Sequence, residues 1–199
     1  MIITFIDTET TGLDLMQHEV IELGMLRVHV DKSWTHSKME CFEAKIKPKF
    51  IKRASPQALK VNGYTADKWK KAIKAIDVLP IYKEWVESSD YLAGQNLIFD
   101  YNFINQLFDR EEIERPQYPK YFDTKKMAEE LVKNGTVKRT SLDYLCENFN
   151  IHTTGRAHTA LADVMRTFEL FKKLSETVKP NALSFNKPYD PFAEREKNG

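Results

Sequence analysis

Near its N-terminus the chain reads "MIITFIDTETTGL", a strand-forming apolar run that ends in two acids, Asp7 and Glu9, one residue apart. Ile2–Ile6 is continuous enough to be a buried strand. Acids are poor strand residues, and side chains two apart on a strand share one face. Two carboxylates held side by side repel each other unless a proton or a cation lies between them. A chain that buries this pair therefore needs further ligands for a cation, drawn from elsewhere in its sequence.

The elements that follow imply a mixed sheet. Val20–Val30 and Cys41–Pro48 alternate well enough to be two more strands, antiparallel neighbours of the first, with "DKSWTHSK" as the hairpin loop between them. Ser55-Pro56 opens a short helix, closed by Asn62-Gly63. Thr65 and Asp77 read as caps of two further helices. Tyr91–Asn96 is a short strand, followed by a helix starting near Asp100. Tyr121–Thr124 is a brief strand running into a helix, Thr140 caps "SLDYLCENF", and Thr159 begins the last long helix. Strands first and then alternating helices and strands predict an α/β fold with helices on both faces of the sheet. Asp7 falls at the end of the first, central strand. Residues 1–176 form the expected domain, and 177–199, with three prolines and no periodicity, an extended or disordered tail.

At 199 residues, 42% of them hydrophobic, the chain can bury a proper core. No apolar run reaches the length of a membrane span, and the N-terminus lacks the basic region of a signal peptide. Cys41 and Cys146 stand singly in apolar stretches, which predicts two small buried thiols in a reducing compartment and a cytoplasmic protein. The net charge of +1 conceals an asymmetry: Lys45–Lys74 holds ten Lys or Arg against one acid, Asp67. For any one lysine a solvated face is the plain explanation. Ten against one, with Phe50, Tyr64 and Trp69 interleaved, points to a surface that meets phosphates and bases.

Four stretches carry acids that local structure does not require: "DTET" (Asp7, Glu9), "NLIFD" (Asp100), "YFDT" (Asp123) and "RAHTALAD" (His158, Asp163). Each has an ordinary alternative, since a lone Asp at a helix start is usually a cap. Positions five apart do not share a helix face. His158 and Asp163 converge only if the helix starts after the histidine. The joint occurrence in this order is far harder to explain locally than any one acid.

These residues carry a family resemblance. "FIDTETTGL", "NLIFDYNF" and "RAHTALAD" resemble the three motifs of the DEDD 3′→5′ exonucleases, and the histidine five before the last Asp is similar to the DEDDh branch. "SPQALKVNGYT" also resembles a segment of proofreading members. The likeness runs from about Met1 to Leu174. Gln95 stands where the family commonly has His, and Tyr64 where it has Ile.

The resemblance implies a ribonuclease H-like fold with a mixed five-stranded sheet. It also implies two Mg²⁺ or Mn²⁺ ions held by Asp7, Glu9, Asp100 and Asp163, with His158 as general base. In that scheme Asp7 bridges both ions, Glu9 and Asp163 complete the site of the nucleophilic water, and Asp100 serves the second ion. Four hard carboxylates suit such ions, and an imidazole of pKa ~6.5 suits a base at neutral pH. Asp123 stays outside the ligand set as a helix-start or packing residue.

Thr10, Leu13, Asn62, Tyr64, Phe103 and Arg156 are the candidate substrate contacts. The expected substrate is single-stranded DNA or a frayed 3′ primer terminus, with a separate polymerase or replication protein as a non-covalent partner. Trimming of RNA ends or oligoribonucleotides is the alternative within the same chemistry. A catalytically dead nucleic-acid-binding or protein-docking module is the alternative outside it.

Overall fold

Ile3 and Phe5 point to one face of the first strand and Ile6 to the other, and a separate hydrophobic cluster forms on each face. The computed structural model describes residues 1–31, 34–153 and 158–185. Five strands form a single mixed sheet in the order β3-β2-β1-β4-β5. They are β1 (Ile2–Thr10), β2 (Val20–Val30), β3 (His36–Lys45), β4 (Tyr91–Gly94) and β5 (Tyr121–Asp123). β1 is central, antiparallel to β2 and parallel to β4.

Six helices accompany the sheet among the described residues: α1 (Pro56–Asn62), α2 (Ala75–Glu87), α3 (Leu97–Arg110), α4 (Thr124–Lys133), α5 (Leu142–Asn148) and α6 (Ala160–Ser175). On one face Phe168 and Phe171 of α6 meet Phe5 edge-on, at 5.3 and 5.6 Å between ring centroids. On the other, Val78, Leu79 and Tyr82 of α2 pack with Ile104 and Phe108 of α3 beneath Ile6 and Met25. Among the described residues no helix is long and apolar enough to cross a membrane.

Several local expectations need correction. β1 does not stop at Ile6: its ladder with β2 continues through the Glu9–Glu22 pair, so Asp7 and Glu9 lie within the strand. β3 begins and ends earlier than Cys41–Pro48, because the charged residues "HSKME" can pair along an exposed edge strand. Cys41 is exposed on that edge, whereas Cys146 is buried. Thr65 starts a series of turns rather than a helix, and Asp77 lies inside the first turn of α2, whose cap is Lys74. α3 starts at Leu97, ahead of Asp100, and Ser141 rather than Thr140 caps α5.

Ser55 caps α1 through its hydroxyl, and Gly63 ends that helix in the left-handed region at φ 67°. Beyond α6 the chain is extended and returns to the sheet. Leu183 exchanges backbone hydrogen bonds with Tyr121 of β5, and Phe185 stacks on Tyr101 and Tyr121.

Candidate active site

The acids gather where β1 outruns its parallel neighbour. β4 pairs with β1 only as far as Phe5–Ala93, and after Gly94 the chain leaves the sheet and enters α3 beside the C-terminal half of β1. The first turn of α3 then presents Asp100. Its Oδ1 accepts the Thr8 backbone N–H at 2.9 Å and the Thr8 hydroxyl at 2.7 Å. The residue between Asp7 and Glu9 thus anchors the third acid to the strand that carries the first two.

Asp163 and His158 arrive from the face covered by α6. Asp7 is the cross-strand partner of Gly24, and a Cβ on Gly24 would lie 2.4 Å from the Ala160 carbonyl carbon. Only glycine leaves room for the start of α6 to press on the sheet at this point. Glu22, buried and opposite Glu9, accepts the Ala160 backbone N–H at 3.1 Å and holds the same helix end. His158 precedes the helix in the left-handed region, at φ 62°, and donates its backbone N–H to Asp163 Oδ2 at 3.2 Å. This turn lets two residues five apart converge. Ligand atoms of Glu9, His158 and Asp163 all lie within 4.8 Å of one another.

Burying Asp7, Glu9 and Asp100 together raises their proton affinity. Burial, followed by the charges of Asp100, Asp163, Glu9 and Glu22, holds the Asp7 carboxyl well above the usual range. Burial and the neighbouring Asp163, Glu22 and Asp100 push Glu9 up to about 8. Burial pushes Asp100 up to about 7, although the two Thr8 hydrogen bonds oppose it. Glu22 is raised as well, by burial, with Lys45 at 3.3 Å working in the opposite direction. Such a set of hard oxygen donors, short of positive charge, fits divalent cations of the Mg²⁺ or Mn²⁺ kind.

Next to Glu9 opens a cavity of about 350 Å³, lined in part by Thr10, Leu13, Val61, Asn62 and Phe99. Asn62 donates its side-chain N–H to the Thr10 carbonyl at 3.0 Å, which fastens α1 to the end of β1. Leu13 is 83% exposed at the rim. Two candidate contacts fall elsewhere. Phe103 is a core residue at 2% exposure, packed against Phe99, and it is Phe99 that reaches the cavity. Tyr64 packs on Trp69 at 4.8 Å and does not line the cavity. Arg156 lies outside the described residues.

Asp123 is a double cap. Its carboxylate accepts the Lys125 and Lys126 N–H groups of α4 and, across the sheet, the Asn96 and Leu97 N–H groups at the start of α3. Gln95 joins Thr124 to the Thr140 carbonyl and so ties the end of β4 to the α5 approach. Sequence reasoning missed Thr8, Glu22 and Phe99. It also missed Arg166 of α6, which donates to Asp163 Oδ1 at 2.8 Å. The i, i+3 spacing of Asp163 and Arg166 was the available signal for that pair.

Comparison with known proteins identifies the family. A family model described as Exonuclease, RNase_T, matches residues 4–171. The DNA polymerase III subunit epsilon of Rickettsia typhi is 30% identical over 189 residues, covering 92% of this chain and 78% of that protein. The PolC-type DNA polymerase III of Bacillus subtilis (strain 168) is 28% identical over 181 residues. That match covers 90% of this chain but only 12% of the much longer polymerase. Among solved structures, the nuclease domain of 3′hExo, a DEDDh family member bound to rAMP, superposes with a TM-score of 0.75 at 19% identity. That likeness covers 93% of this chain and 97% of the other, and it shows the ribonuclease H-like fold. The chain belongs to the Exonuclease (RNase_T) family.

Proposed function

We propose that this exonuclease hydrolyses phosphodiester bonds at the 3′ end of single-stranded or frayed DNA and releases nucleoside 5′-monophosphates. The observation that carries the reading is the meeting of Asp7, Glu9, Asp100 and Asp163, from two strand positions and two helices, beside His158. The relatives named as replicative polymerase subunits support DNA as the substrate and a separate polymerase as partner.

Asp7, Glu9, Asp100 and Asp163 would hold two Mg²⁺ or Mn²⁺ ions. When bound, two such ions would supply the positive charge that offsets the extra negative charge of the reacting phosphate. His158 would take the proton of the attacking water on its imidazole. The water oxygen would bond to phosphorus as the bond from phosphorus to the 3′ oxygen of the penultimate nucleotide breaks, and that oxygen would take a proton from solvent to leave as a new 3′-hydroxyl. The cavity beside Glu9 suits the terminal nucleoside: Phe99, Leu13 and Val61 offer apolar surface to a base or sugar of any sequence. The basic segment passes along the same cavity through Ser55, Gln57 and Ala58. Ser55 lines the cavity, and the exposed Lys52 and Arg53 lie just before it. Cations there would hold phosphates of the strand without reading bases.

The test offers 5′-labelled DNA and RNA strands of matched sequence, with Mn²⁺ or Mg²⁺, to the wild type and to Asp7→Asn. Stepwise shortening of DNA from its 3′ end, abolished by the substitution, is expected. Preferential shortening of RNA would overturn the DNA assignment. Loss of neither strand would favour a binding or docking module.

A further inference from the structure

One guanidinium joins α5 to α6 at the edge of the acid cluster. Arg166 donates through Nη1 to Asp163 Oδ1 at 2.8 Å and through Nη2 to Asp143 Oδ1 at 2.5 Å. Its side chain is 12% exposed and that of Asp163 9%, so the bond between them is sheltered from water, whereas Asp143 reaches it from the surface. The second oxygen of each carboxylate faces the histidine. Asp163 Oδ2 lies 3.9 Å from His158 Nδ1, and Asp143 Oδ2 lies 3.9 Å from His158 Nε2. The four side chains form a closed ring, with one imidazole nitrogen turned to each acid.

We infer that Arg166 and Asp143 are positioning residues for the exonuclease reaction, setting the carboxylate of Asp163 and the imidazole of His158. This rests on the metal-dependent reading above. A carboxylate among like charges turns about its last torsion to escape them, and Asp163 is such a group, because its charge acts on both Asp7 and Glu9. A guanidinium one helical turn later can stop that rotation. By engaging Oδ1 it leaves Oδ2 directed at His158. Asp143 does two things. It aligns the guanidinium through Oδ1, and through Oδ2 it gives the far side of the imidazole a partner. Groups that orient metal ligands in this manner typically carry 10- to 100-fold in metal affinity or activity when removed.

The experiment compares Arg166→Gln, Arg166→Lys and Asp143→Asn with the wild type. Mn²⁺ affinity is read by calorimetry, and kcat and KM on a DNA oligonucleotide separately. Arg166→Gln is expected to weaken Mn²⁺ binding by ~10- to 100-fold and to lower kcat while KM stays near its original value. Lysine keeps the charge without the fork, so Arg166→Lys should recover part of the affinity. Asp143→Asn alters a carboxylate 61% exposed and does not threaten folding. It should lower kcat by roughly 10-fold. Combined with Arg166→Gln it should cost less than the product of the two single losses, because the two residues share one bond.

Wild-type Mn²⁺ affinity and kcat in a folded Arg166→Gln variant would overturn the inference. An unchanged kcat in Asp143→Asn, or losses that simply multiply in the double variant, would do the same. A wild type that neither binds Mn²⁺ nor shortens DNA would instead contradict the functional reading beneath it.

Discussion

Gly24 lies directly across the β1–β2 ladder from Asp7, at a point where the backbone of α6 touches the sheet too closely for any side chain. The glycine therefore sets the distance between the strand that carries two of the acids and the helix that carries a third. A Gly24→Ala substitution must push Ala160 away, and His158 and Asp163 with it. Overpacking of this kind costs about 1–3 kcal/mol, or roughly 2–4 °C of Tm per kcal/mol in a chain of this size. A displacement of about 1 Å can cost on the order of 10²-fold in rate. Gly24→Ala should thus lose activity out of proportion to its fall in Tm, as thermal melts beside an exonuclease assay would show.

The crowded acids make a prediction about pH. Glu9 is pushed up to about 8 and Asp7 is raised as well, so without metal the folded state binds more protons than the unfolded chain across this range. Stability from these groups is greatest at or below their unfolded pKa values, and is lost as pH rises towards 8. Glu9→Gln removes one of the titrating carboxylates. Its metal-free Tm should exceed that of the wild type by a margin that widens from pH 5 to pH 8. Mn²⁺, which needs the deprotonated acids, should stabilise the wild type more at pH 8 than at pH 6. A margin that shrinks with rising pH would contradict the burial argument.

Phe99 and Phe103 separate binding from folding. Phe99 lines the cavity, whereas Phe103 is buried beneath it. Phe103→Ala should destabilise the fold by about 3–5 kcal/mol, measured by urea unfolding, and leave the KM of the folded fraction near wild type. Phe99→Ala should raise KM for DNA with a smaller stability loss, in keeping with about 1–3 kcal/mol for a stacked base.

The basic segment at the rim predicts a salt effect. Replacing Lys52 and Arg53 with Glu should weaken DNA binding without changing kcat at saturating substrate. If each cation meets one phosphate of a single strand, log Kd should depend less steeply on log salt by about 0.7 for each cation removed. Binding titrations at several salt concentrations would measure the slope.

What could be read in the sequence was whatever depends on near neighbours. Val20–Val30 alternates well enough to be read as a strand, and Ser55-Pro56 with Gly63 marks both ends of α1, so these boundaries were visible. The five acidic and histidine positions were visible as an ordered set. The start of α3 was not. Its first N–H groups are capped by Asp123, 26 and 27 residues away, which leaves Asn96 free to turn left-handed. Glu22 looked like one more alternating strand residue until the ladder set it opposite Glu9. Phe103 and Phe99 share the apolar spacing of one helix, and only packing tells which of them meets the cavity. Cys41 sits in an alternating stretch that proved to be an edge strand, where one side of the sheet is left open.

Calorimetric titration of the metal-free chain with Mn²⁺ near pH 8, beside Asp7→Asn, tests most directly whether four carboxylates form one metal centre. Two ions per wild-type chain are expected, with binding severely weakened when Asp7, the acid raised by all the others, loses its charge. A wild type that takes up no Mn²⁺, or an Asp7→Asn variant that binds two ions as tightly, would contradict the account.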